Sequence, residues 1–312
     1  MDKKTYSEIK LNFEDNYFKH IKPQLEKYEK IRQKNFKLVF WLWVPILSIA
    51  AIATIIIPIL AQENVEIDLR VTLFLIVIQF VIYSCYGYSL EAKMKENFMP
   101  NICKCFNNLT WKQTYRSKSN EFYNIGLVDY YNDETIDDVF VGKYNGVKFE
   151  IIETYLKKIT RGKHRSVRKI FRGVILKIHH DEAYKTHTVL RPDNLFKFDI
   201  QDLKHTELED VVFEKKFDVF TDDEVQSRVI LSPLFMERLN NIQKIFEAQK
   251  VSCAFYGFTT YIALSVDRDM FNVCSLIKPV NTPVKFVKMF DEIISVYKLI
   301  DYLKLTKEET KA

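Results

Sequence analysis

Glycine is scarce in this chain, at seven residues in 312. Few positions remain for loops that cradle phosphate, and no Gly-rich strand-to-helix turn occurs, which argues against a doubly wound nucleotide-binding fold. Cysteine is sparse and odd in number. Cys85, Cys103, Cys105, Cys253 and Cys274 follow no disulfide-framework spacing, as expected for a reducing compartment. Cys103 and Cys105 are the only close pair, and without a second pair or a suitable histidine nearby they do not make a zinc site. Charge is missing from two long stretches, and acid from a third.

The first uncharged stretch is "LVFWLWVPILSIAAIATIIIPILA" at 38–61. As a helix it would reach about 36 Å, enough to cross the hydrocarbon core with some tilt. Pro45 and Pro58 do not exclude this, and Trp41 and Trp43 lie near one end, where amphipathic rings prefer the interface. "VTLFLIVIQFVIYSCYGYSL" at 71–90 is the second such run. The first run is too long and starts too far into the chain to be a signal peptide. Residues 1–37 hold ten Lys/Arg, whereas the link 62–70 carries Glu63, Glu66 and Asp68 against Arg70 alone. The positive-inside rule then puts both termini in the cytoplasm. A small transporter is disfavoured, because the runs carry no ionisable side chain besides tyrosines and Cys85.

What surrounds these runs has its own periodicities. Over 5–36, Phe13, Tyr17, Ile21, Leu25, Tyr28 and Ile31 recur at helical spacing, so an amphipathic helix is expected, with Pro23 as a break or kink. From about residue 120 the pattern becomes strand-like. Val139/Val141 and Val147/Phe149/Ile151 alternate around Tyr144-Asn145-Gly146, a strong hairpin signal. Further strands are expected at 169–180, 185–192 and 207–221, and a second hairpin around Gly257. Ser232-Pro233 starts a helix with its stripe at Phe235, Leu239, Ile242 and Phe246, and a long Thr-Pro-initiated helix follows from 282. The expected fold is therefore α+β: an N-terminal amphipathic helix (1–37), a two-helix transmembrane hairpin (38–90, spans 38–61 and 71–90), a juxtamembrane linker or helix (91–119), and a mostly antiparallel β domain with two helices (120–312).

Candidate chemistry is thin. Asp222, Asp223 and Glu224 with Arg228 read as turn chemistry plus an ion pair. His179, His180 and His187 cannot all converge, because adjacent strand residues face opposite ways. Ser252, Ser265 and Ser275 lack a nucleophile elbow. The acid-free stretch "LKKITRGKHRSVRKIFR" at 156–172 has eight Lys/Arg. It reads as a solvated loop or, near a membrane, as a contact for anionic lipid through Lys157, Lys158, Arg161, Lys163, Arg165, Arg168 and Lys169. Stacking aromatics are not interleaved there, which argues against nucleic acid.

A wider pattern carries a resemblance. Its residues are Phe213-Glu214, Phe217, Val219, Asp222, Arg228, Leu231-Ser232-Pro233 and Met236-Glu237. It also includes "FKHIKP" (18–23) with Glu29 and Arg32, "GKYNGVKFEIIE" (142–153), "FRG" (171–173) and Thr188-Val189. This combination resembles a family of bacterial membrane proteins known only as a domain of unknown function. The resemblance implies two N-terminal spans in the bacterial inner membrane, a cytoplasmic C-terminal domain and no catalytic residues. It also implies a protein partner of the LemA membrane type. The expectation is a non-enzymatic, membrane-tethered interaction or scaffold module with no catalytic, cofactor or metal site. The alternative is a membrane-associated enzyme using the acidic or histidine residues of the C-terminal domain.

Overall fold

The computed structural model describes residues 3–61, 69–106, 108–113, 120–162, 166–192, 203–207 and 214–309. The chain divides into two compact units, one of Met1–Leu11, Cys103–Phe271 and Val287–Ala312, the other of Asn12–Ile102 and Asn272–Phe286.

The second unit is helical. Helix α1 (Lys3–Asn16), of which only the residues from Asn12 belong to this unit, passes through a widened turn at Tyr17–Ile21 into α2 (Lys22–Ala61), and α3 covers Leu69–Cys103. The irregularity falls before Pro23, not at it. Proline has no N–H and crowds the carbonyl four residues earlier. Here that position is Lys19, inside the widened turn, where Lys22 N–H bonds back to the Tyr17 carbonyl. The helix therefore continues through Pro23. The expected apolar stripe holds at Phe13, Tyr17, Ile21 and Leu25, which are buried. It then drifts: Ile31 is exposed, while Glu29 and Arg32 take the buried face.

That buried pair holds the 272–286 segment. Arg32 grips Glu29 through two bonds of 2.8 and 2.6 Å and donates a third, of 2.6 Å, to the Leu276 carbonyl. Glu29 also accepts the Val280 N–H at 3.0 Å. The Arg32 hydrogen bonds hold the Glu29 carboxyl down at about 2, so its stabilisation is present above the ordinary value of 4.5 and is lost as pH falls toward 2. Replacing Arg32→Met leaves a buried carboxylate without its counter-ion and is expected to cost about 3–5 kcal/mol. The denaturant midpoint at neutral pH measures this, and Glu29→Leu/Arg32→Met should recover much of the loss.

The structure does not uphold the expected transmembrane hairpin. Among the described residues no helix is long and apolar enough to cross a membrane. Each apolar run is one part of a longer helix whose remainder is charged and packed, with Leu25, Glu29 and Arg32 buried on α2 and Met94 and Phe98 on α3. Within the second run Gln79 is fully buried and donates to the Val39 carbonyl at 3.3 Å. The two-span arrangement and the multi-pass localisation with cytoplasmic termini fall with it.

The first unit carries one antiparallel sheet, as the alternation suggests. Its nine described strands are β1 (Leu109–Lys112), β2 (Asp133–Tyr144), β3 (Val147–Thr160), β4 (Ser166–His179), β5 (Thr188–Pro192), β6 (Lys204–Thr206), β7 (Phe217–Thr221), β8 (Lys250–Tyr256) and β9 (Thr259–Ser265). Their order across the sheet is β1-β2-β3-β4-β9-β8-β5-β7-β6. Asn145 (φ 47°) and Gly146 (φ 85°) turn β2 into β3 in the left-handed region, as an Asn-Gly hairpin requires. Of the strand expected at 207–221, only Phe217–Thr221 is strand among the described residues; 208–213 lie outside them.

Side-chain alternation splits the core between two faces. One face buries Val139, Ile152, Phe171, Ile175, Val189, Ala254 and Ala263 under short helix α4 (Glu121–Asn124) and residues 125–131. The other packs against helices α6 (Pro233–Ile245) and α7 (Val284–Glu309), where Phe235 meets Phe255 and Tyr297 meets Phe149, with centroids 5.4 and 5.5 Å apart. Ser232 caps α6, accepting from the Phe235 N–H, with Pro233 opening the helix. Asp223 caps the seven-residue helix α5 (Glu224–Ile230).

Candidate anion-binding surface

The acid-free stretch is a hairpin arm. β2 stops pairing with β3 at Lys157, and β9 meets β4 only from Gly173 onward. Among the described residues the pairs Lys158↔Arg168, Ile159↔Val167 and Thr160↔Ser166 therefore have strand partners only in each other. Asn132 braces the arm, its side chain bonding both the Ile159 N–H (2.7 Å) and the Ile159 carbonyl (2.8 Å).

The seven expected cations are not equivalent. Lys157 pairs with Asp133 at 3.3 Å and sits 4.4 Å above the Tyr155 ring. Lys169 pairs with Asp267 at 2.5 Å. Lys158 lies 5.6 Å over the Tyr130 ring. Arg161 and Arg168 are exposed and have no ion-pair partner among the described residues. Lys163 and Arg165 fall outside the described residues. Acids distant in sequence thus neutralise two cations that looked free in the linear chain.

At the base of the arm the sheet is hollowed into a pocket of about 290 Å³. It crosses the four neighbouring strands β4, β9, β8 and β5 under residues 127–129. Small side chains in register make the hollow, with Ser252 opposite Ala263 and Gly173 opposite Ser265. Leu127, Val128, Ile170, Phe171 and Pro192 give it apolar walls, and Arg168, Arg191 and Lys250 give it cations. The buried Arg191 bonds Asp129 at 2.7 Å, whereas Arg168 and Lys250 have no ion-pair partner among the described residues. Arg191 and Lys250 escaped the sequence reading. They sit on strands some sixty residues apart, and no local pattern links them.

Four carboxylates meet elsewhere in this unit. Asp137, Asp138, Glu153 and Asp269 each place an oxygen within 4.8 Å of the others. The β2 register shift between Ile136 and Val139 brings in the two aspartates. An all-oxygen set of this kind suits Mg²⁺ or Ca²⁺. Glu153, however, accepts the Met270 N–H at 2.7 Å and the Phe271 N–H at 3.3 Å, and Asp138 accepts the Trp111 indole N–H at 2.7 Å. Burial and then the Asp269 charge push the Glu153 carboxyl up to about 8. A proton on Glu153 therefore offsets the crowded charge at neutral pH.

Of the other candidates, Asp222, Asp223 and the histidines have architectural roles, whereas the ion pair expected at Arg228 is not formed among the described residues. Asp222 accepts from the Thr186 hydroxyl (2.5 Å) and the His187 N–H (3.0 Å). Asp223 caps α5, and Arg228 is exposed in the last turn of that helix. The histidines do not assemble. His179 faces Glu150 and Thr259, His180 bonds Thr260 and Tyr184, and His187 lies 3.1 Å from the Ile125 carbonyl.

Residues 169–305 match a family model described as "Protein of unknown function (DUF3137)". The match includes the "FRG", Thr188-Val189 and 213–239 blocks of the sequence resemblance. No curated protein matches the chain. Among solved structures, the crystal structure of the mycobacterial trehalose monomycolate transport factor A, TtfA, is similar over 54% of this chain and 74% of that one, at 10% identity and a TM-score of 0.31. A likeness of that size carries no argument about function.

Proposed function

We propose that the sheet unit is a non-enzymatic binding module whose β3–β4 arm contacts clustered anionic groups, namely the headgroups of an anionic lipid surface. The observation that carries this reading is the arm itself. It extends past its neighbouring strands and exposes Arg161 and Arg168 without ion-pair partners among the described residues. Arm cations close to an anionic surface contribute about 1 kcal/mol each, and salt screens the attraction. Asp222, Asp223 and the three histidines are engaged in caps, turns and hydrogen bonds, which favours binding over catalysis.

The test uses the full chain at low salt with vesicles of phosphatidylglycerol or of phosphatidylcholine. Replacing Lys158, Arg161, Lys163 and Arg165 by Gln is expected to weaken binding to the anionic vesicles by at least about tenfold, each tenfold being about 1.4 kcal/mol. Binding to the zwitterionic vesicles should not change. Equal binding of variant and parent to the anionic vesicles would remove the proposal.

A further inference from the structure

We infer that the pocket at the base of the arm is a binding site for a small organic anion, with one phosphate or carboxylate head on an apolar body. This goes beyond surface contact by the arm, because it requires one molecule seated in the hollow between the sheet face and residues 127–129. The volume is about 290 Å³. That is the small end of ligand pockets, matched to a head and a short chain.

Charge selects the head. Arg168 and Lys250 face the same hollow with no carboxylate paired to either among the described residues. The one acid in the lining, Asp129, is engaged by Arg191 at 2.7 Å. An anion entering there gains charge-assisted hydrogen bonds without displacing an existing pair at Arg168 or Lys250. Apolar walls favour a body that leaves water, as in most small-molecule sites. Ser252 adds a hydroxyl beside the cations.

Calorimetry on the full chain at low salt, with octyl phosphate, octanoate and octanol as probes, tests the assignment. At least one of the two anions should bind, and neutral octanol should bind at least about tenfold more weakly. Arg168→Gln/Lys250→Gln changes only exposed side chains and is expected to weaken the anion by at least about tenfold. Ser252→Leu fills the hollow and should abolish binding, with the unfolding midpoint checked in parallel. The inference is overturned if neither anion binds, if octanol binds as tightly, or if the double variant binds like the parent. The vesicle variant above leaves Arg168 and Lys250 in place, so the two proposals fail separately.

Discussion

Raising the pH from about 5 to about 9 is expected to remove several kcal/mol of stability from the sheet unit. Two buried carboxyls cause this. Glu153 is 6% exposed and Glu292 1%, and burial is the largest cause raising each to about 8 from the ordinary 4.5. The folded state therefore keeps protons that the unfolded chain releases. Below about 4.5 both states hold them, and the native environment costs nothing extra. Between about 4.5 and 8 the unfolded state gains by ionising, so stability falls, and above the folded value it levels off. At about 1.36 kcal/mol per pH unit, each group contributes on the order of 3–5 kcal/mol across the window. Denaturant midpoints measured through this range should decline, and Glu153→Gln and Glu292→Gln should each flatten part of the decline. A flat parent curve would contradict the argument. A midpoint that rises with added Ca²⁺ or Mg²⁺ in the parent but not in Glu153→Gln would reassign the carboxylate cluster to a metal ion. Glu29 titrates in a lower window and in the opposite sense, so the two effects separate on the pH axis.

Gly173→Ala is expected to be the most damaging single methyl in the sheet. Gly173 has φ of +145°, and its place on β4 lies directly against β9. A Cβ there would fall onto the Leu264 carbonyl oxygen and within 2.7 Å of the Val266 nitrogen. Both obstacles are backbone, so no rotamer change relieves them. The Val266 N–H to Arg172 carbonyl bond of 2.8 Å locks the two strands at this point. Separating them would open the middle of the sheet and the floor of the pocket together. The cost is put at about 4 kcal/mol or more, at the upper end for one substitution. Gly162→Ala, where a Cβ meets nothing within 4 Å, is the control and should change the midpoint by less than about 0.5 kcal/mol. A Gly173→Ala protein as stable as this control would show that the strands separate freely there.

Gly173 closes the "FRG" triplet noted in the sequence, where its backbone reason was not visible. The same contrast runs through the molecule. Asn145-Gly146 and Ser232-Pro233 were legible because turn and cap rules act within a few residues. Glu29 and Arg32 were legible as charges, but not as a buried clamp on a segment more than two hundred residues away. The uncharged runs misled in the other direction. Run length says nothing of how far a helix continues into charged, packed sequence, or that Gln79 is buried against a neighbouring helix.

The linear chain by itself determined the β2–β3 turn, the α6 cap, the α+β class and the density of positive charge on the arm, all consequences of local backbone chemistry and side-chain alternation. Only the tertiary structure decided which cations meet acids, where four carboxylates meet, and that a hollow opens at the base of the arm. Those outcomes depend on distances between residues remote in sequence, and strand order and register set such distances.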